Sequence, residues 1–369
     1  MRTALAEKLL VKIMGWSSEE VSVQRPLLQA LASFKYDEYQ QFSPGMRFIE
    51  SLVKWLEQFN TPEEKKIAYN FFISKLIFIS NDQIAHLVNI TFSEKVNPIL
   101  IAKSATKLNV KPYLVAQITG SKEYSEMLRR SLFIGVSDGS RIDLFRRSKR
   151  EISNEQVFPS YYIEAGKAAD MIKELNEAGH EGKFNSVFLI DDFTASGKSY
   201  FRQEYGKYTG KIYKFLTWLF EEKENPYKTL VDTEGDLNIQ VIFYIATRNA
   251  LTTISEAINA FITEKKLAIT CEVDAVQIIE NEISEDVCNE IDFINLISKP
   301  EHFDQTIVDS HYKKGKHDNP YLGFNECALP IILNHNTPNN SLPILWFPED
   351  SKNNCVGLFP RVTRHKDEQ

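Results

Sequence analysis

Apolar positions recur along this chain with two different periods, and the change from one to the other falls near residue 130. Upstream they return every three to four residues: Leu5, Leu9, Leu10, Ile13 and Met14 share one face of a predicted core-facing helix, and residues 45–58, 62–79 and 81–87 repeat the pattern. The acidic starts SSEE at 17–20 and TPEE at 61–64 are helix N-terminal signals. Downstream, short apolar runs at 132–136, 187–190, 239–244, 267–273 and 328–333 read as strands. Helical patterns lie at 164–178, 211–222 and 251–263, with a further one at 302–311, and the acidic stretch 280–292 reads as a solvated face or loop. This order predicts an α/β domain over 131–369, with a mostly parallel sheet flanked by helices, preceded by an all-α module over 1–130. Glycine agrees with the division, because only Gly15, Gly45 and Gly120 of the 15 precede residue 130.

Charge and cysteine narrow the function classes. Against 43 Lys plus Arg stand 50 Asp plus Glu, a formal charge of −7 that opposes non-specific attraction to a phosphate backbone, so any nucleic-acid contact has to be local. Cys271, Cys288, Cys327 and Cys355 form no CxxC pair, which encodes neither a zinc knuckle nor a disulfide framework and fits a reducing, cytoplasmic location. No window approaches the roughly 18 uncharged apolar residues of a membrane span. The greasiest stretch, 71–79, is broken by Lys75.

The chemistry concentrates in VFLIDDFTASGKS, residues 187–199. A buried strand is expected to end at Asp191 and Asp192, at the carboxyl edge of a parallel sheet where ligands collect. Ionised carboxylates only accept hydrogen bonds, which suits them to vicinal ribose hydroxyls and to magnesium-bound water. The following residues, Thr194, Ala195, Ser196, Gly197, Lys198 and Ser199, supply hydroxyls, a positive charge and a glycine that admits backbone N–H groups to a phosphate. A sugar phosphate matches that order. A nucleotide P-loop competes for the same residues, since SGKS resembles the second half of GxxxxGK[ST], yet Asp192 stands where its first glycine belongs.

Two other passages are candidates. An apolar run ends in Ser137, Asp138, Gly139, Ser140 and Arg141, either an ordinary Asp-Gly turn or an anion cradle for pyrophosphate. The polar stretch with His335, Asn336 and Asn339, between apolar runs in 328–347, reads as an irregular hairpin, either an acceptor loop or, for His335 the favoured reading, a structural one. Arg146, Arg147, Lys149 and Arg150 make a basic cluster, a solvated face or a local RNA contact.

At residues 187–199 the chain resembles the type I phosphoribosyltransferases, whose motif is four apolar residues, an acidic pair, two mostly apolar residues, two small ones, glycine, any residue and a hydroxylated one. It departs at Phe193 and Thr194, where aliphatic residues are usual. SDGSRID, GKIYKF at 210–215 and NHNTPNNSLPILW extend the resemblance, over about 130–362, to phosphoribosyltransferase-like proteins of bacterial conflict systems, including effectors encoded beside retrons and tellurite-resistance-type operons. The resemblance implies binding of phosphoribosyl pyrophosphate with magnesium (Mg2+) held by the ligand together with Asp191 and Asp192, transfer or hydrolysis of the phosphoribosyl group, and a defence-system protein or RNA as partner. It equally accommodates a non-catalytic regulator that senses the same ligand.

Overall fold

The computed structural model describes residues 3–160, 162–177, 179, 180, 182–222, 224–235, 237–349, 351 and 355–361. Its strands are β1 (Ile77–Ile79), β2 (Ser131–Gly135), β3 (Val157–Phe158), β4 (Ser186–Thr194), β5 (Arg202–Glu204), β6 (Lys207–Thr209), β7 (Asn238–Thr247), β8 (Thr270–Ile279) and β9 (Ile331–Leu333). The chain divides into two compact units, Met1–Gln83 with Asn281–Gln369, and Ile84–Glu280.

The second unit is built on a five-stranded sheet in the order β3-β2-β4-β7-β8, with every neighbouring pair parallel. Its strand β7, held between β4 and β8, is buried along its whole length, which is why it reads as a near-continuous apolar run rather than an alternation. Helices Ala165–Glu177, Lys211–Phe220 and Arg248–Lys265 cover the sheet, close to the expected ranges; Ala178, the predicted end of the first, lies outside the described residues. Residues 84–130, which the glycine pattern groups with the N-terminal module, are helical and belong to this unit.

The first unit joins both ends of the chain. Trp55 donates its indole N–H to Ile344 O at 2.8 Å, Ser51 its hydroxyl to Leu358 O at 2.7 Å, and Tyr39 its hydroxyl to Pro360 O at 2.9 Å. Phe359 stacks on Phe48 with ring centroids 5.5 Å apart. These contacts bury the apolar face of the helix Phe48–Glu57 against the chain's last described residues, a pairing that no local periodicity announces.

Several predicted elements change here. The helix expected over 62–79 stops at Lys75, and Ile77–Ile79 become β1, paired in parallel with β9 in a separate two-stranded sheet. The predicted strand at 328–333 therefore shortens to Ile331–Leu333 and is no part of the large sheet. The stretch 302–311 forms short 3-10 turns, and the acidic segment forms two helices, Glu282–Cys288 and Ile291–Ile297. Lys75 neutralises the acidic face by pairing with Asp286 and Glu290, each at 2.8 Å. Leu5, expected in the core, is half exposed at 52%.

The TPEE signal is realised as a reciprocal cap: the Thr61 hydroxyl accepts Glu64 N–H at 3.1 Å, and Glu64 accepts Thr61 N–H at 3.1 Å. Thr61→Ala is expected to destabilise the first unit by about 1 kcal/mol, read as a lower midpoint in urea with an unchanged slope.

Candidate functional site

The site is opened by a mismatch in strand length. β2 pairs with β4 as far as Gly135 opposite Ile190 and then turns away, whereas β4 continues beside β7 to Thr194 opposite Ala246. Asp191 and Asp192 therefore do not terminate a strand, as the sequence suggests. They lie within β4, immediately beyond the point where its β2 neighbour departs, and the segment Ser137–Arg141 occupies the ground that β2 vacates.

Successive residues of a strand face opposite sides, so the two carboxylates do not converge on one group. Asp191 is 1% exposed and lies on the face of Val187 and Leu189, among the side chains of Tyr200, Phe243 and Lys211. Its Oδ1 accepts the Ser137 hydroxyl in a short bond and Asp192 N–H at 3.1 Å; its Oδ2 accepts the Tyr200 hydroxyl at 2.8 Å and the Lys211 ammonium at 3.1 Å. Burial, and then the charge of Asp192, push the Asp191 carboxyl up from its ordinary value, while Lys211, Ser137 and Tyr200 pull it back. Burial and the two carboxylates raise the Tyr200 phenol well above its ordinary value, which keeps it a donor.

Asp192, half-buried, belongs to the other face. Its Oδ1 accepts Phe193 N–H at 2.8 Å, and Gly139 approaches so closely that a Cβ there would lie 2.4 Å from Oδ2. Tyr244 of β7 steadies this loop by donating its hydroxyl to Ser140 O at 2.6 Å. Arg141 follows with φ 45°, a left-handed conformation that turns the chain into the helix Ile142–Ser148.

Of the glycine-bearing stretch, Thr194, Ala195, Ser196 and Gly197 are buried, Lys198 is half-buried and Ser199 is exposed. Gly197, at φ 72°, backs onto Ile254, whose Cγ1 would meet a Cβ at 2.8 Å, and Thr247 donates its hydroxyl to Ala195 O at 2.6 Å. After Ser199 the chain enters the β5–β6 hairpin, and the next helix begins only at Lys211. A P-loop needs a helix N-terminus directly after its glycine, so that rival reading has no footing in this geometry.

The structure thus unites Ser137, Gly139 and the acid pair, as the sequence suggests, and adds three residues it did not single out, Tyr200, Lys211 and Tyr244. Tyr200 stands one place beyond the motif and Lys211 within GKIYKF, so both were visible, but only their folded contacts reveal the shared carboxylate. His335, Asn336 and Asn339 lie in the first unit. The stretch keeps only a tight antiparallel turn, Leu333 opposite Asn336, and its flanking runs do not pair as a hairpin, since Leu329 bridges Ser341 in parallel. His335 O accepts the Gln41 amide at 2.8 Å, Asn336 N–H donates to Leu333 O at 3.1 Å and Asn339 O accepts Phe324 N–H at 2.7 Å. In the basic cluster, Arg147 pairs with Asp143 at 3.7 Å and Lys149 with Glu151 at 3.1 Å, the pattern of a solvated face.

Magnesium held directly by Asp191 does not fit these donors. An ionised carboxylate offers about four acceptor positions, and all are engaged by groups of the chain. Among the described residues no cluster of three or more His, Cys, Asp or Glu side chains is placed to hold a metal ion.

A family model described as PRTase-CE matches residues 52–361. The match takes in helices of the first unit as well as the whole second unit, more than the motifs alone indicate. Neither the curated proteins nor the solved structures gave a match.

Proposed function

The chain belongs to the PRTase-CE family, a phosphoribosyltransferase-type family, and from that premise we propose that its second unit binds phosphoribosyl pyrophosphate and transfers or hydrolyses the phosphoribosyl group. The observation that carries this reading is the meeting of Gly139 with the Asp192 carboxylate where β2 and β4 part, a glycine-relieved turn beside an acid at the ligand edge of a parallel sheet. Asp192 would accept from the ribose diol, with Lys198 and Arg141 as the cations nearest in sequence for phosphate and pyrophosphate. Magnesium enters with the pyrophosphate of the ligand rather than on Asp191. In the displacement the bond from the anomeric carbon to pyrophosphate breaks, pyrophosphate leaving with the electron pair, and a bond to the acceptor or to water forms. The positive charge that builds on the ring is favoured by a fixed carboxylate without a covalent nucleophile.

The test is incubation of the purified chain with radiolabelled phosphoribosyl pyrophosphate, magnesium and a cell extract or RNA. Label appearing in a base, nucleotide or RNA, or released as ribose phosphate, supports the enzyme. Asp192→Asn is expected to weaken ligand binding by about ten- to a hundredfold in calorimetry, the loss of one charge-assisted hydrogen bond. Binding without any transfer would favour a sensor, a reading to which the saturated Asp191 lends support. The resemblance to conflict-system proteins supports a cytoplasmic role in antiphage defence with a protein or RNA partner, tested by whether the intact gene, and not its Asp192→Asn variant, lowers phage plating with its native neighbours.

A further inference from the structure

We propose that Lys211 is the resident cation of the acid pair: its ammonium, with the hydroxyls of Tyr200 and Ser137, occupies Asp191, so that no divalent ion binds that carboxylate and the ligand is met by Asp192. The part that concerns the ligand rests on the phosphoribosyl reading; the part that concerns the cation does not.

The lysine is placed by the backbone around it. Gly210, at φ 124°, lies against the Tyr200 backbone, where a Cβ would come within 2.3 Å of Tyr200 O. That contact starts the helix Lys211–Phe220 beside the β4 edge, and Lys211 N–H fixes the start by donating to Ser199 O at 3.1 Å. From there the ammonium reaches Asp191 Oδ2 at 3.1 Å and lies 4.9 Å from the centroid of the Tyr200 ring, whose hydroxyl donates to the same oxygen. The carboxylate is otherwise buried, and a buried charge needs a partner. A second cation there would lose acceptors already taken and would meet the ammonium at close range. Asp192 follows on the opposite face of the strand, where its Oδ1 accepts Phe193 N–H at 2.8 Å. Lys211 is accordingly a positioning residue: it holds Asp191, and through it the Ser137–Arg141 turn, without touching the ligand.

The experiment titrates the full chain with Mn2+ alone, read by electron paramagnetic resonance, with no sugar phosphate present. For the natural sequence, the bound fraction is expected to be the same with and without Asp191→Asn. Lys211→Met is expected to create a site at least about tenfold tighter, and adding Asp191→Asn to it should abolish that site; Lys211→Arg, which keeps the charge, should create none. Should the Met variant lose its circular-dichroism signature, Lys211→Gln gives the same reading. Mn2+ binding to the natural chain that Asp191→Asn removes would overturn the proposal, as would folded Met and Gln variants that gain no site. Adding phosphoribosyl pyrophosphate afterwards separates the two readings: expected Mn2+ behaviour without ligand binding keeps Lys211 in its role and removes the phosphoribosyl assignment.

Discussion

Gly139→Ala is expected to lower the affinity for phosphoribosyl pyrophosphate by about a hundredfold while moving the thermal midpoint by no more than about 2 °C. The added methyl would lie 2.4 Å from Asp192 Oδ2 and 2.7 Å from its Cγ, distances that cannot persist. The atoms it meets are the end of a side chain with two torsions, so the carboxylate rotates and the backbone stays. The φ of Gly139 is not in the left-handed region, and alanine brings no backbone strain of its own. Rotation withdraws the acceptor from the diol and costs about one charge-assisted hydrogen bond together with its geometry. Calorimetry of ligand binding beside scanning calorimetry of the free protein checks both halves. Unchanged affinity would remove Asp192 from the ligand, and a collapse in stability would make the turn purely structural.

The inner part of the sheet was legible because β2, β7 and most of β4 are buried on both faces, and a run such as Val187–Ile190 has no other comfortable home. The acid pair and its neighbouring turn were legible for the related reason that carboxylates adjoining such a run are costly unless something uses them. The division of the chain was less so. Residues 281–369 complete the first unit through bonds such as Tyr39 to Pro360 and Trp55 to Ile344, which join positions about three hundred residues apart and leave no local period. For the same reason Ile77–Ile79 passed for the tail of a helix, since their strand character is supplied by Ile331–Leu333. The polar loop with His335 was misleading in the opposite direction. Its side chains match a binding loop in composition, but its place in the first unit is fixed by main-chain groups, His335 O accepting from the Gln41 amide and Asn339 O from Phe324 N–H, which composition does not announce. Lys211 was invisible as a partner of Asp191 because the β5–β6 hairpin separates it from the motif in sequence and returns it in space, and Tyr200, though one place beyond the motif, reaches back to Asp191 only because the chain turns after Gly197.

Gly210→Ala should act on stability where Gly139→Ala acts on binding. Its methyl would lie 2.3 Å from Tyr200 O, 2.5 Å from Tyr200 C and 2.9 Å from Phe201 N, all backbone atoms that no side-chain rotation can clear, and its φ of 124° is one that alanine rarely adopts. Strain and overlap together are expected to cost on the order of 4 kcal/mol, a fall in the second unit's thermal midpoint of about 10 °C. Gly206 supplies the control. It too has a positive φ, 75°, in the β5–β6 turn, but nothing lies within 4 Å of its would-be Cβ. Gly206→Ala should therefore cost only about 1 kcal/mol, the conformational part alone. Equal losses in the two variants would mean that the close approach of Gly210 to Tyr200 contributes nothing, and with it would go the structural reason for Lys211 standing where it meets Asp191. A large loss at Gly210 alone ties the stability of the second unit to the seat of that lysine, so that the fold and the charge state of the acid pair are maintained by one contact.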